Sequence, residues 1–94
     1  MAKRKIVWTK KANFERQEIL GYWYNRNKSI RFSKKLNGLF LESIKQLVTY
    51  PNLGRKTSEE NTYVIIVRNY LLFYEYNETQ IIIQSIWDGR RNEK

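Results

Sequence analysis

The sequence contains no histidine and no cysteine. Histidine is the commonest general base near neutral pH and the commonest neutral metal ligand, so its absence excludes a Ser-His-Asp triad and the usual hydrolytic zinc site. Without cysteine, neither a disulfide nor a thiolate metal site holds the fold together, and stability must come from packing. We therefore expect a cytoplasmic protein that uses no metal and no other cofactor.

Glycine and long apolar segments are also scarce. The four glycines are Gly21, Gly38, Gly54 and Gly89. They are too scattered to form a Gly-rich loop around a phosphate, so nucleotide-dependent chemistry and a small-molecule substrate are not expected. Uninterrupted aliphatic runs reach only four residues, whereas a bilayer-spanning helix needs about 20.

The N-terminal residues 1–5 are basic, as in a signal peptide. The apolar run after them is only Ile6-Val7-Trp8, and Lys10 and Lys11 come soon after it. A signal peptide needs an apolar region of about 7–15 residues. We therefore expect no export and no membrane association.

Acidic residues are half as frequent as basic ones. The sequence has 18 Lys and Arg against 9 Asp and Glu, a net charge of +9 on 94 residues. A field this strong attracts nucleic acid, an anionic membrane or an acidic protein, and we favour a polyanionic partner over a merely soluble basic surface. The 41% hydrophobic and 15% aromatic content suits one small domain that spans residues 1–94.

The first half of the chain predicts one strand and two helices. Residues 5–8 are rich in β-branched and aromatic side chains, and Thr9 can cap the helix predicted over residues 12–26. Ser29 can cap a second, longer helix, antiparallel to the first, which Pro51 ends. The apolar face of that second helix consists of Phe32, Leu36, Leu39, Phe40, Ile44, Leu47 and Val48.

In the second half of the chain, the apolar residues change to a period of two. Residues 52–61 are polar and aperiodic, which predicts a loop. Strands are predicted over residues 63–68, 70–76 and 80–87, with connections short enough for hairpins. The sequence therefore predicts an α+β fold. It is a two-layer sandwich of order β-α-α-β-β-β, in which a helical hairpin packs on a mainly antiparallel four-stranded sheet.

The aromatic residues divide into two predicted groups. The inward-facing group consists of Trp8, Trp23, Phe32, Phe40 and Trp87. The candidates for an exposed platform that could stack nucleic-acid bases are Tyr63, Tyr70, Tyr74 and Tyr76. Such stacking platforms occur on RNA-binding sheets, although no RNP motif supports one here.

The chemistry that remains available is cationic. Cleavage of RNA by a ribose 2′-hydroxyl requires a proton acceptor, a proton donor and positive charge on the developing phosphorane, and arginine serves the last role well. The cations that the predicted sheet can bring to one face are Arg55, Lys56, Arg68, Arg90 and Arg91. The candidate bases and acids are Lys56, Glu59, Glu60 and Tyr74, and the sequence does not choose among them.

Several motifs together resemble the RelE/ParE superfamily of toxins from bacterial type II toxin-antitoxin systems. They are the element order, the element Pro51-Asn52-Leu53-Gly54-Arg55, the hairpin over residues 67–76 and the closing segment over residues 87–92. Each motif is weak alone, but their order covers nearly the whole chain. The resemblance implies a small basic toxin that is neutralised by a cognate acidic antitoxin.

The superfamily divides by target, which the resemblance carries over as two alternatives. RelE-like members cleave messenger RNA on the ribosome, and on this reading Arg68, Arg90 and Lys56 correspond to catalytic residues. On either reading, Arg55, Arg91 and Tyr74 are candidates to contact phosphate or an acidic partner. ParE-like members inhibit DNA gyrase without cleaving RNA.

The two alternatives differ in the residues that follow the arginine near the C-terminus, which is Arg90 or Arg91 in this sequence. RelE-like nucleases usually add a tyrosine or a histidine-tyrosine pair there, and this sequence has Asn92-Glu93-Lys94. The Pro-x-x-Gly-Arg element is also similar to ParE members. The resemblance therefore favours gyrase inhibition. A third alternative, from the charge alone, is a non-toxic basic domain that binds nucleic acid or protein.

Overall fold

Two helices cover one face of a five-stranded sheet in the computed structural model, which describes residues 3–89. The elements are β1 (Lys5–Trp8), α1 (Lys10–Asn27), α2 (Arg31–Thr49), β2 (Arg55–Lys56), β3 (Tyr63–Val67), β4 (Tyr70–Tyr76) and β5 (Gln80–Asp88). A short 3₁₀ turn, Pro51–Leu53, comes after α2. The predicted α+β class, with a helical hairpin on a mainly antiparallel sheet, is confirmed.

The predicted number of four strands is wrong, because part of the predicted loop is a strand. Arg55 and Lys56 pair with Val64 and Tyr63, so β2 forms one edge of the sheet. The strand order is β1-β5-β4-β3-β2, with β1 parallel to β5 and every other pairing antiparallel. Within residues 3–89, no helix combines the length and the apolarity needed to cross a bilayer.

The helix boundaries follow local hydrogen bonding and proline. The Thr9 hydroxyl accepts a hydrogen bond from the Ala12 amide at 3.0 Å, which is the predicted N-cap of α1. Ile30, rather than Ser29, occupies the N-cap position of α2 and provides no side-chain cap. The Ser29 hydroxyl instead accepts from the Arg31 amide at 3.2 Å. As predicted, α2 ends just before Pro51.

The core lies between the two helices and the inner face of the sheet. Phe40 is fully buried, and Trp8, Trp23 and Phe32 pack against the buried cluster, so their predicted inward orientation is confirmed. Burial of such large side chains supplies most of the stability of a fold without disulfides. The buried hydrophobic residues are Ala12, Leu36, Phe40, Ile44, Leu47, Val67, Tyr70, Leu72, Tyr74, Ile81, Ile83 and Ile86.

The inward orientation predicted for Trp87 is wrong, and a β-bulge is the reason. Along β4 and β5, Tyr74 pairs with Ile83 but its neighbour Phe73 pairs with Ser85, so β5 contains one extra residue between these pairs. An extra residue reverses the alternation of all the side chains beyond it. Ile86 therefore faces the core, and Trp87 is 55% exposed on the other face.

The Glu15 carboxylate links α1 to the part of β5 that does not pair with β1. Its carboxylate accepts a hydrogen bond from the Ile86 amide at 2.9 Å, beyond the point where pairing with β1 stops. Because the acceptor is charged and partly buried, we expect Glu15→Ala to lower the free energy of unfolding by about 1–2 kcal/mol. Glu18→Ala, an exposed position on the same helix, should change it by less than about 0.5 kcal/mol. Urea unfolding of the two variants measures the difference, and equal midpoints would contradict the role of Glu15.

Candidate functional site

The sheet face away from the helices has an apolar patch, which lies next to polar residues such as Ser85, the partner of Phe73. Ile66, Leu71 and Trp87 form one cross-strand row, and Val64 and Phe73 are paired in another row on the same face. Ile66 is 68% exposed and Trp87 is 55% exposed. The rings of Phe73 and Trp87 meet edge to face at 5.2 Å. We call Val64, Ile66, Leu71, Phe73 and Trp87 the open sheet face.

Two of the predicted cationic residues lie at the limits of the open sheet face. Arg55 pairs with Val64 at the outer edge of the sheet and is exposed. Arg68 is exposed in the two-residue turn between β3 and β4, next to Ile66 and Val67. Its φ is 58°, in the left-handed region, which costs a residue with a Cβ about 1 kcal/mol or more. The structure thus places a cation at each end of the apolar surface.

The end of β5 returns to the same turn. The Gly89 amide donates a hydrogen bond to the Asn69 carbonyl at 2.7 Å, so Gly89, the last described residue, lies next to the turn that contains Arg68. Arg90 and Arg91 lie outside the described residues, and their predicted roles stay predictions.

Lys56 is not near Arg68. It pairs with Tyr63 on the helix-covered side of the sheet, where its ammonium nitrogen lies 5.5 Å from the Tyr63 ring centroid. Tyr63 and Arg68 are five residue steps apart along β3, which is roughly 17 Å at the rise of an antiparallel strand. Groups that act on one phosphate must lie much closer to one another, within about 3–3.5 Å of the reacting atoms. Arg55 therefore pairs with a residue of the open sheet face, Arg68 lies in the turn at its end, and Lys56 lies on the helix-covered side.

Tyr74 was predicted to contact phosphate or a partner, but it is fully buried. Its hydroxyl donates to the Pro51 carbonyl at 2.7 Å and accepts from the Gly54 amide at 2.9 Å. Burial raises the pKa of Tyr74, although the Gly54 hydrogen bond opposes that rise. A side chain without accessible surface is not positioned to contact a ligand, so Tyr74 is a structural link. It joins β4 to both ends of the Pro-x-x-Gly element, which gives that spacing a physical reason.

The predicted tyrosine platform is also wrong for Tyr70. This residue is 4% exposed, and its hydroxyl accepts a hydrogen bond from the Trp23 indole nitrogen at 2.7 Å. Tyr63 and Tyr76 are half-buried, and their rings lie 5.2 Å apart. All four tyrosines lie on the rows that face the helices, because their pairing register puts them on the core side.

Sequence reasoning missed the apolar side chains of the open sheet face. A period of two in Val64-Ile65-Ile66-Val67 puts Ile66 opposite to its buried neighbour Val67, so this part of the face had a signal. The orientation of Trp87 had no decisive signal in the sequence, because the bulge depends on how β5 pairs with β4.

The fold and the whole sequence can be compared with known proteins. A chain of the "Chromosomal ParDE TA system from P. aeruginosa" is similar in structure, with a TM-score of 0.76 and 18% sequence identity, and the match covers 92% of this chain and 96% of that chain. No curated protein matches the sequence. The family model of the ParE toxin of type II toxin-antitoxin system, parDE, matches residues 6–93. This match takes in both helices and all five strands, and so the chain belongs to the ParE family of toxins from type II toxin-antitoxin systems.

Proposed function

We propose that this toxin arrests growth by binding and inhibiting DNA gyrase. The observation that carries the proposal is the open sheet face with Arg55 and Arg68 at its limits. Contiguous exposed apolar surface marks a site of protein association. Trp and Arg are also the residues most enriched among those that dominate binding energy, and Trp87 with the two arginines supplies both types. This surface suits a protein target better than it suits a reacting phosphate.

The arrangement of the cations supports the same choice. RelE-like cleavage by this chain would require Lys56 near the attacking hydroxyl and Arg68 on the same phosphate. Along the strand, Arg68 lies roughly 17 Å from Tyr63, the residue with which Lys56 pairs, and Lys56 lies on the helix-covered side. Arg55 and Arg68 remain available for charge contacts at the rim of an interface, where they would speed association and set orientation.

Membership of the family implies an antitoxin partner. We propose that an acidic antitoxin neutralises the toxin by covering the open sheet face and pairing its carboxylates with Arg55 and Arg68. The net charge of +9 would steer such a partner toward the toxin. Covering the exposed side chains of Ile66 and Trp87 would supply the apolar part of the binding energy.

A supercoiling assay with purified gyrase tests the proposal. The toxin should inhibit supercoiling at stoichiometric concentration. Ile66→Ser should weaken inhibition at least tenfold, because it removes apolar contact at a desolvated position. Ile30→Ser is the matched control. Ile30 is 55% exposed at the junction of the two helices, which cover the opposite face of the sheet. The control variant should inhibit like the parent.

The same preparations should be added to a translating extract with intact messenger RNA. Undamaged messenger RNA together with inhibited gyrase is the expected result. Cleavage of messenger RNA that Arg68→Ala abolishes, with no effect on supercoiling, would replace gyrase inhibition by the RelE-like alternative. Absence of growth arrest when the gene is induced would contradict both toxin alternatives and leave the third one, a non-toxic basic domain that binds nucleic acid or protein.

A further inference from the structure

The tip of the helical hairpin is strongly basic and largely exposed. It consists of the end of α1, the connection to α2 and the start of α2, and each residue over 24–31 is exposed. Residues 19–41 contain five Lys or Arg and no Asp or Glu, so this segment carries more than half of the net charge of +9. We call residues 24–35 the hairpin tip. Its five basic residues, the tip cations, are Arg26, Lys28, Arg31, Lys34 and Lys35.

Carboxylates of the described chain do not neutralise the tip cations. Within residues 3–89 the salt bridge joins Lys11 to Glu15, and no tip cation takes part in an ion pair. The first turn of α2 also contains no acidic residue. Lys34 and Lys35 come three and four residues after Arg31, so the three cations share one face of α2 and repel one another. A ligand with several closely spaced negative charges would relieve this repulsion.

Contacts between the two helices hold the hairpin tip in place. The buried Ser33 hydroxyl donates a hydrogen bond to the Leu20 carbonyl at 2.8 Å, which joins the start of α2 to α1. The rings of Trp23 and Phe32 meet edge to face at 5.0 Å across the same junction. Arg26 lies 6.0 Å from the Trp23 ring centroid, a contact that leaves its positive charge in place. Both helices thus present their cations from one packed scaffold, which lowers the entropy cost of binding a ligand.

The uncharged side chains of the hairpin tip favour a phosphate ligand over a protein. Tyr24, Asn25, Asn27 and Ser29 are exposed, and Tyr, Asn and Ser are, with Arg and Lys, the residues that contact DNA phosphates. Ile30 is the one aliphatic side chain among residues 24–31. A protein interface needs an apolar centre and is depleted of lysine, whereas protein–DNA interfaces are more polar and more positively charged. The composition of the hairpin tip matches the second kind of interface.

We propose that the hairpin tip binds the phosphate backbone of duplex DNA without sequence preference. Duplex DNA carries one negative charge per about 1.7 Å of helix axis, which is dense enough to meet several tip cations at once. Single-stranded DNA fits less well, because its bases need exposed aromatic rings on which to stack, and Tyr24 is the one exposed ring of the hairpin tip.

The choice of DNA over duplex RNA rests on the proposed function, since gyrase acts on DNA. The hairpin tip belongs to the helical layer, on the opposite side of the sheet from the open sheet face. Binding of DNA at the hairpin tip therefore leaves the open sheet face free for a protein partner.

Fluorescence anisotropy of a short labelled DNA duplex, titrated with the full-length toxin at several salt concentrations, tests the proposal. The dissociation constant should be about 1–100 μM at physiological salt, and the logarithm of affinity should fall linearly with that of salt. The triple variant Arg31→Gln, Lys34→Gln and Lys35→Gln should weaken binding at least tenfold and reduce the salt slope by about 2.7. The double variant Arg26→Gln and Lys28→Gln, on the α1 side, should reduce the slope by about 1.8.

A second triple variant is the matched control. Lys5→Gln, Lys10→Gln and Lys45→Gln remove the same charge from exposed positions. Lys45 comes ten residues after Lys35 on α2, which is about 15 Å along the helix. The control should reduce the salt slope by less than about 1, and urea midpoints equal to that of the parent should show that all variants fold. Equal loss of binding in the two triple variants would overturn the proposal, because it would indicate a general attraction to a basic chain.

Other ligands give outcomes that also overturn it. Duplex RNA of the same length that binds more tightly than DNA would assign the hairpin tip to RNA. Vesicles with anionic lipid, or polyglutamate, that bind through the tip cations when DNA does not would assign it to a membrane or to an acidic protein. None of these measurements contains gyrase, so loss of DNA binding would leave gyrase inhibition uncontradicted, and a negative supercoiling assay would leave measured DNA binding intact.

Discussion

Replacing Gly54 with alanine is expected to lower the free energy of unfolding by about 3 kcal/mol or more. A Cβ at this position would lie 2.5 Å from the Tyr74 hydroxyl oxygen and 2.9 Å from the Val64 carbonyl oxygen. Tyr74 is fully buried, so its ring has no space into which to withdraw. The methyl group would therefore break the hydrogen bonds that the hydroxyl makes with Pro51 and Gly54.

The effect at Gly54 is steric, because its backbone φ of −75° and ψ of 166° is open to any residue. Gly21→Ala is the matched control. No heavy atom would lie within 4 Å of the new Cβ there, and alanine in the middle of α1 should raise stability by up to about 1 kcal/mol. Urea unfolding of both variants measures the contrast. Similar stability of the two would contradict the close approach of Tyr74 to the Pro-x-x-Gly element.

Tyr74→Phe is the second change with a large expected effect. It keeps the ring but removes the hydroxyl that bonds to the Pro51 carbonyl at 2.7 Å and to the Gly54 amide at 2.9 Å. The Pro51 carbonyl and the Gly54 amide are partly buried, so we expect the loss of both hydrogen bonds to cost about 1–3 kcal/mol. Tyr24→Phe, at a residue that is 49% exposed, should leave the free energy of unfolding unchanged within about 0.5 kcal/mol.

The cost of Tyr74→Phe should also depend on pH. Burial raises the pKa of Tyr74 above its usual value of 10.0, because the phenolate would be poorly solvated. The folded chain therefore keeps the Tyr74 proton at a pH where the unfolded chain has lost it. The stability associated with that proton is complete below about pH 10 and is lost as pH rises through the folded pKa.

The phenylalanine variant lacks this titration. The difference in stability between parent and variant should consequently shrink as the pH increases above about 10. Unfolding curves at pH 8 and at several values above pH 10 measure this trend. A difference that grows with alkaline pH would contradict the buried, protonated hydroxyl.

Much of the fold followed from local pattern. The period of helix α2, the Thr9 cap and the helix-ending Pro51 are properties of short segments, and they predicted the helices to within a few residues. The hairpins also followed, because two-residue and three-residue connections force neighbouring strands to pair. Strand β2 could not be predicted from local pattern, because Arg55 and Lys56 have no apolar pattern and become a strand only by pairing with β3.

The candidate site was predictable only in part. Arg55 and Arg68 were recognised as available cations, and the structure brings both to the limits of one face. Tyr74 was misassigned because an alternating strand shows which residues share a side but not which side the helices cover. Trp87 was misassigned for a different reason, since the bulge between its strand and β4 reversed its orientation.

The sequence alone determined the chemistry that this toxin can use. Lack of histidine and cysteine excluded the catalysis and metal binding that depend on those side chains, and the charge of +9 favoured an acidic or polyanionic partner, because composition does not change on folding. The order of elements, read with the Pro-x-x-Gly-Arg element, also carried the family resemblance.

Tertiary structure alone decided which side chains meet. It buried Tyr74 against Gly54, exposed Trp87 on the same sheet face as Ile66 and separated Lys56 from Arg68. The physical reason is that strand register and helix placement depend on contacts between segments far apart in the sequence, and a shift of one residue reverses the face of every side chain beyond it.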